Sequence, residues 1–269
     1  MTPLLNARNL RRSYPSRGLP NTGRIVAVDG VDFELARSQA IAIVGQSGSG
    51  KSTLARLLLA LEQPDEGTVE FDGMNITRMS QGKLRPHRRR FQAVFQDPTS
   101  SLNPHLRISS IINEPLIAHS LGSKASRRVR IEELLDAVGL SPSSADRYPE
   151  AFSAGERQRI AIARALATEP ELLILDEPVS ALDVTIRVQI VRLIDELRRS
   201  LDLSIIFISH DLEVVKRVCE HTMVMYKGMI VESGRTEDVL TSPKENYTRQ
   251  LIAAAPQIQL HKHAATISS

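Results

Sequence analysis

The sequence predicts an α/β fold built around a mostly parallel sheet. Short, continuous apolar runs are typical of strands buried on both faces, and three of them occur at 40–44, 172–175 and 204–208. Amphipathic segments with helical spacing alternate with these strands, at 52–61, 156–167 and 184–199. Strands and helices that alternate along a chain are typical of a parallel sheet covered by helices.

Composition excludes several classes of protein. The chain has 269 residues, 42% hydrophobic and 24% charged, which are the proportions of a globular protein and not of a disordered, fibrous or disulfide-stapled one. Its single cysteine, Cys219, cannot form an intramolecular disulfide and leaves no multi-cysteine metal site, so we interpret it as a small buried hydrophobe. No apolar run is long enough for a membrane helix or a secretory leader, so we expect a protein of the cytosol.

The charge balance is mildly basic. Lysine and arginine total 34 against 31 acidic residues, an excess that suits phosphate ligands or an anionic surface. The densest basic run, residues 85–90, is short and lacks the usual companions of a nucleic-acid site, a set of stacking aromatic residues and a recognised fold, so we interpret it as a solvated flank and expect no nucleic-acid partner.

Turn signals and alternating residues predict β-structure in the first part of the chain and helices in the middle. A first strand is expected at 4–10, and the runs 25–28 and 31–35 on either side of Asp29-Gly30 predict a β-hairpin. The segment 68–73 alternates again. Helical spacing extends from 108 to 140, so the middle of the chain is expected to be rich in helices.

A phosphate-binding loop lies between the first buried strand and the helix that follows it. The sequence fits G-x-x-x-x-G-K-[ST] and reads Gly45, Gln46, Ser47, Gly48, Ser49, Gly50, Lys51, Ser52, with Thr53 next. Glycines let backbone N–H groups surround phosphates, and the N-terminus of the helix directs its positive dipole end at them. Lys51 is expected to reach the β- and γ-phosphates of a nucleotide, and the Ser52 hydroxyl to bind Mg²⁺.

Two adjacent acids end the second buried strand, at Asp176 and Glu177. Ligands of open α/β sheets bind at the carboxyl ends of the strands. We therefore expect Asp176 to hold Mg²⁺ and Glu177 to polarise the attacking water, because in-line phosphoryl transfer needs an oriented nucleophile and neutralised oxygens.

The first two motifs leave kinases, GTPases and many ATPases open, and a third motif narrows the class. Residues 152–159, Phe-Ser-Ala-Gly-Glu-Arg-Gln-Arg, resemble the signature sequence of ABC-type ATPases, where leucine, serine, two glycines and glutamine are usual. The other parts of that family's pattern follow in the expected order, namely Gln96, the segment 180–183 and His210. The resemblance extends over about 4–256 and implies an ABC ATPase fold.

The resemblance also implies roles for individual residues. Tyr14 would stack on adenine, Gln96 would bind Mg²⁺ or the attacking water, and His210 would contact the γ-phosphate and orient Glu177. Two such domains would meet head to tail, so that Ser153 and Gly155 of one cover the ATP bound to the other. Phe152, Ala154 and Glu156 depart from the family pattern; because Glu156 brings a carboxylate near an anion site, we expect a weakened composite site.

The implied organisation is one nucleotide-binding domain, 1–250. Its P-loop core and antiparallel β subdomain would comprise about 1–95 and 160–240, with a helical subdomain at about 96–159. A short tail at 251–269 is expected to be partly disordered, since its end is polar and aperiodic.

The segment 95–104, Phe-Gln-Asp-Pro-Thr-Ser-Ser-Leu-Asn-Pro, resembles the ATPases of peptide and nickel importers, and 242–256 supports the same branch. That resemblance implies two membrane permeases, a second and non-identical ABC ATPase, an extracytoplasmic solute-binding protein, and a peripheral location at the cytoplasmic face of the inner membrane. The alternatives are a soluble ABC ATPase of DNA maintenance or translation and an exporter ATPase. The first is disfavoured because the chain has one P-loop and lacks long heptad segments, and the second by the segment after Gln96.

Overall fold

The computed structural model describes residues 2–16, 23–96 and 102–254, in which ten strands form two sheets. The strands are β1 (Leu5–Pro15), β2 (Arg24–Leu35), β3 (Ala40–Val44), β4 (Glu66–Phe71), β5 (Met74–Asn75), β6 (Phe91–Val94), β7 (Leu172–Asp176), β8 (Ser204–Ser209), β9 (His221–Tyr226) and β10 (Met229–Arg235). The helices are α1 (Lys51–Leu58), α2 (Gln81–Leu84), α3 (Ile108–Ala118), α4 (Lys124–Ala137), α5 (Ala154–Leu166), α6 (Val184–Ser200), α7 (Leu212–Val218), α8 (Thr236–Thr241) and α9 (Asn246–Ala254).

The larger sheet confirms the predicted α/β class. Its six strands lie in the order β10-β9-β3-β8-β7-β6, and every neighbouring pair is parallel except β9 with β10. The three predicted buried strands, β3, β7 and β8, lie side by side in its centre. Their carboxyl ends therefore meet at one edge, where the P-loop and the acid pair follow.

Helices and the second sheet cover the two faces of this sheet. Along β3, Ala40, Ala42 and Val44 pack into one apolar core with helices α3 to α7, whereas Ile41 and Ile43 pack into a second core with α1 and the smaller sheet. Burial on both faces explains why β3 is a continuous apolar run. It also fixes the point at which the chain leaves the sheet into the P-loop.

The smaller sheet is antiparallel, with the strand order β2-β1-β4-β5. The predicted β-hairpin at Asp29-Gly30 is wrong. Residues 24–35 form one strand, and the pairing with β1 shifts register between the pairs Leu10–Val31 and Arg12–Val28. Gly30 has φ +64°, and the Asp29 amide donates to the Gly228 carbonyl. One type of β-bulge takes a glycine in the same left-handed conformation as a tight turn, so the dipeptide bends the strand without reversing it.

The helical middle of the chain divides into separate helices. The predicted stretch 108–140 contains α3 and α4, and Ser123 caps α4 by accepting from the Ser126 amide. Of the tail predicted to be partly disordered, 251–254 belong to α9 and 255–269 lie outside the described residues.

The prediction of a solvated flank at 85–90 holds for only part of this basic run: Arg85 and Arg89 are exposed, whereas Arg88 and Arg90 are partly buried. Arg88 donates to the carbonyls of Leu59 and Ala60, at 3.2 Å each, and so satisfies carbonyl groups just beyond the end of α1. Arg90 binds the carboxylates of Asp72 and Glu171. These arginines therefore join the smaller sheet and α1 to the central sheet.

Cys219 is buried beside the end of α7, and burial raises the pKa of its thiol. This agrees with its interpretation as a small hydrophobe. None of the helices within the described ranges is both long and apolar enough to cross a membrane.

Candidate active site

A cleft of about 620 Å³ at the carboxyl edge of the central sheet collects most of the residues that the sequence predicts for the site. It is lined by Tyr14, Ala27, Gln46, Ser47, Gly48, Gly50, Lys51, Ser52, Thr53, Gln96, Glu177 and His210. Residues that are distant in the sequence thus share one cleft, because the central strands all end at this edge. Ser153 and Gly155 of the signature segment do not line it.

The P-loop passes very close to the backbone of two strands. A Cβ atom at Gly50 would lie 2.0 Å from the Ala27 carbonyl oxygen, and one at Gly45 would lie 2.3 Å from that of Met225. Gly50 also has φ +108°. No residue with a side chain fits either position without moving the strands, so glycine is needed here for packing as well as for access to phosphate.

The side chain of Lys51 folds back onto the backbone of the P-loop. Its Nζ donates to the carbonyl oxygens of Gly45 at 2.7 Å and Gln46 at 2.8 Å. Burial lowers the pKa of Lys51, and the nearby carboxylates of Glu177 and Asp176 partly oppose that shift. The ammonium group is therefore desolvated, and its hydrogen bonds to the described residues go to neutral carbonyls, which leaves it available to a phosphate.

Asp176 ends β7 as a buried carboxylate, 6% exposed, whose Oδ1 has no hydrogen-bond partner among the described residues. Burial raises its pKa, and a hydrogen bond with the Ser52 side chain opposes that shift. A buried carboxylate oxygen without a partner, next to a hydroxyl, fits a divalent cation, because Mg²⁺ prefers oxygen ligands.

Glu177 and His210 form a pair at the mouth of the cleft. The His210 Nδ1 lies 2.9 Å from Glu177 Oε1 and 2.8 Å from Oε2. Glu177 has φ +53°, in the left-handed region that side chains seldom occupy, and its amide donates to the Ile208 carbonyl. Strained backbone of this kind occurs at functional sites, where the surrounding structure holds it in place. The pair can orient a water molecule and accept its proton.

The Tyr14 ring lines the cleft, and its hydroxyl group is bound at the far side. The hydroxyl donates to the Glu62 carboxylate, and the Arg12 guanidinium lies 5.0 Å from the ring centroid. These two contacts fix the position of a ring that belongs to the lining of the cleft.

The signature segment forms the start of α5. The Glu156 carboxylate accepts from the amide and the hydroxyl of Ser153, each at 2.8 Å, and the Glu156 amide donates back to the Ser153 hydroxyl at 3.3 Å. This is a capping box, and the bonds from Ser153 lower the pKa of Glu156. Gly155 is buried against α6, since a Cβ there would lie 2.4 Å from Ile186 Cγ2.

Two contacts with the P-loop come from the last part of the chain, and no local sequence pattern gives them a site role. The Gly228 amide, in the turn between β9 and β10, donates to the Ser49 carbonyl at 2.9 Å. The Tyr247 hydroxyl, on α9, accepts from the Gln46 amide at 3.1 Å.

Known proteins resemble this chain over most of its length. A family model described as ABC transporter matches residues 28–180. The dipeptide transport ATP-binding protein DppF of Haemophilus influenzae is 44% identical over 259 residues, which cover 96% of this chain and 79% of that protein. The oligopeptide transport ATP-binding protein AppF of Bacillus subtilis is 45% identical over 257 residues, 94% of this chain and 78% of that protein.

A solved structure of an ATP-binding cassette has the same fold. The dimeric post-hydrolysis state of the ATP-binding cassette MJ0796, bound to ADP and Pi, matches with a TM-score of 0.77 at 28% identity and covers 86% of this chain and 98% of that one. The fold and the site define a nucleotide-binding ATPase of the P-loop class. This chain belongs to the ABC transporter family and is an ABC-type ATPase.

Proposed function

We propose that this chain is the ATP-hydrolysing subunit of an importer that carries peptides across the cell membrane. The observation that carries the proposal is the convergence of Lys51, Glu177 and His210 on one cleft that the P-loop lines, with the carboxylate of Asp176 close to Lys51. The named relatives, which serve dipeptide and oligopeptide transport, support a peptide as the cargo.

ATP would lie with its phosphates in the P-loop. Backbone amides of the P-loop and the N-terminus of α1 would surround them, and Lys51 would exchange its two carbonyl contacts for the β- and γ-phosphates. The adenine would stack on the fixed ring of Tyr14.

Mg²⁺ would be held by Ser52, Asp176 and Gln96. The unpartnered oxygen of Asp176 supports this assignment. The metal would supply charge neutralisation for the phosphate oxygens. The Ser52 side chain already acts on the pKa of Asp176 in the absence of any ligand, which places the two residues in one site.

Glu177 would orient the attacking water and accept its proton. His210, held against both carboxylate oxygens, would keep Glu177 in that orientation and approach the γ-phosphate. Ser153 and Gly155 would act on a different nucleotide, because they lie outside this cleft. They would cover ATP bound to a second, non-identical ATPase; the similar cassette MJ0796, in its post-hydrolysis state with ADP and Pi, is likewise dimeric.

The complete transporter would contain two membrane permeases and would receive its substrate from an extracytoplasmic solute-binding protein. The chain would bind peripherally at the cytoplasmic face of the membrane, since the described residues contain no spanning helix. ATP would close the pair of ATPases, and hydrolysis at Glu177 would reopen it.

The experiment that tests this proposal isolates the full chain carrying Glu177→Gln from native membranes in mild detergent with ATP. The substitution slows hydrolysis and so retains the closed complex. Mass spectrometry should recover two membrane permeases and a second ATPase, whereas a Lys51→Ala chain should recover less of the second ATPase. Recovery of the chain alone, or with ribosomes or nucleic acid, would overturn the importer assignment.

A further inference from the structure

We propose that Tyr247 is a positioning residue for the P-loop, which sets the affinity for ATP through the backbone of Gln46. This inference rests on the proposed ATP site. It assigns to α9, near the end of the described chain, a part in nucleotide binding that no motif indicates.

Gln46 joins Tyr247 to the lysine of the P-loop. Its amide donates to the Tyr247 hydroxyl at 3.1 Å. Its carbonyl accepts from Lys51 Nζ at 2.8 Å and from the Ser49 amide at 3.2 Å. The backbone N–H of Gln46 thus binds Tyr247, while the carbonyl of the same residue binds the Lys51 ammonium group and closes the turn of the P-loop.

Tyr247 is itself held firmly. Its ring packs on that of Tyr226, at the end of β9, with the centroids 4.1 Å apart and the planes inclined by 31°. The segment before α9 is fixed by Glu232 of β10, whose carboxylate accepts from the amides of Lys244 at 2.8 Å and Glu245 at 3.1 Å. Leu251 anchors the next turn of α9 in the core. A hydroxyl placed by these contacts can restrain the loop that it binds.

The physical consequence is a smaller ordering cost when ATP binds. A P-loop with Gln46 fixed needs less conformational entropy to reach the nucleotide-bound geometry than one in which that amide is free. The hydroxyl does not line the cleft and touches neither Glu177 nor His210. Its loss should therefore weaken ATP binding and leave the chemical step at saturating ATP unchanged.

The test compares Tyr247→Phe with Tyr226→Phe in the full chain. Both substitutions keep the packed rings and remove one hydroxyl, but only Tyr247 contacts the P-loop. Tyr247→Phe should raise the KM for ATP about threefold to tenfold, the effect of one hydrogen bond, with kcat within about twofold of the wild type. Tyr226→Phe should leave both constants near the wild type.

A second variant tests the same path without changing Tyr247. Glu232→Ala releases the amides that precede α9, so it should raise the KM in the same direction by a smaller factor. Equal KM values for Tyr247→Phe, Glu232→Ala and Tyr226→Phe would overturn the proposal. So would a loss of kcat without a change in KM.

Lys51→Ala separates this inference from the function on which it rests. Binding of a fluorescent ATP analogue should be lost in Lys51→Ala and weakened in Tyr247→Phe. Retained binding in Lys51→Ala would refute the ATP site itself. Lost binding in Lys51→Ala, with Tyr247→Phe equal to Tyr226→Phe, would refute only the role of Tyr247.

Discussion

The carboxylate of Glu156 binds both the amide and the hydroxyl of Ser153, each at 2.8 Å, at the first turn of α5. The N-terminus of a helix attracts negative charge, and here the chain supplies that charge itself. Under the proposed function, the same hydroxyl must turn to a phosphate bound by the second ATPase. The internal carboxylate would then compete with the phosphate for Ser153.

Glu156→Gln should raise the ATPase rate of the assembled complex about twofold to fivefold, because it removes a negative charge from this helix end. The glutamine oxygen can still accept from Ser153, so the cap survives in weaker form. Steady-state ATPase assays on the reconstituted complex provide the measurement. Glu150→Gln, an exposed acid nearby with no contact to Ser153, is the control. An equal rate for all three complexes would remove the idea of competition.

Gly155→Ala should destabilise the protein by about 1–3 kcal/mol, because the new methyl would lie 2.4 Å from Ile186 Cγ2. Ile186→Ala removes that carbon, so the double variant should lose less than the two single variants together, by at least about 0.5 kcal/mol. Urea unfolding of the full chain measures all four proteins.

The matched control for Gly155→Ala is Gly82→Ala in α2, since nothing lies within 4 Å of a Cβ at that position. It should stabilise the protein by about 0.5–1 kcal/mol, as alanine replaces glycine in a helix with open space around it. Additive effects of Gly155→Ala and Ile186→Ala on the free energy of unfolding would contradict this packing explanation. They would indicate that the signature segment accepts alanine at Gly155 as it does at Ala154.

Local signals predicted the centre of the molecule well. The central strand β3 is apolar at every position because helices cover one of its faces and α1 with the smaller sheet covers the other. Its burial could therefore be predicted from its own residues. The P-loop and the acids Asp176 and Glu177 could likewise be found, since each is a short motif directly after such a strand and the parallel order brings the strand ends together.

Contacts between distant segments could not be predicted in the same way. Asp29-Gly30 satisfies a tight turn and a bulge equally, and only the partner strand β1 decides between them. The sequence predicts a solvated charge at Arg88 because the carbonyls that it binds, of Leu59 and Ala60, lie just beyond α1 and are distant in the sequence. The contact of Tyr247 with Gln46 spans most of the chain, and neither residue type signals it.

Arg90→Lys should lower the free energy of unfolding by about 1 kcal/mol at pH 7, because lysine cannot bind Glu171 and Asp72 together as the planar guanidinium does. Arg90 lowers the pKa of both carboxyl groups. Groups with a lowered pKa in the folded state stabilise the protein above their unfolded values, about 4, and lose that contribution as the pH falls through the folded values.

The difference between Arg90→Lys and the wild type should therefore shrink as the pH falls below about 4, which urea unfolding at neutral and acid pH can measure. Arg128→Lys is the control, because Arg128 pairs with Glu132 on an exposed helix surface and should change stability little at either pH. A difference that stays constant with pH would show that Arg90 acts by packing alone, through its contact with the Phe71 ring.

Asp176→Asn should stabilise the nucleotide-free protein while abolishing ATPase activity. Burial raises the pKa of Asp176, so the folded state disfavours its charge, and this cost appears as the pH rises through the unfolded value of about 3.9 and persists at neutral pH. Asparagine removes the charge and can still accept from Ser52, which should add on the order of 1 kcal/mol to the free energy of unfolding at pH 7.

Asp183→Asn, which exchanges one good helix cap for another, is the control and should change stability little. Thermal unfolding with and without Mg²⁺ and ATP makes the comparison: the ligands should stabilise the wild type and Asp183→Asn but much less Asp176→Asn, and a less stable nucleotide-free Asp176→Asn would mean that the carboxylate is held by attraction to Lys51 and does not await a cation.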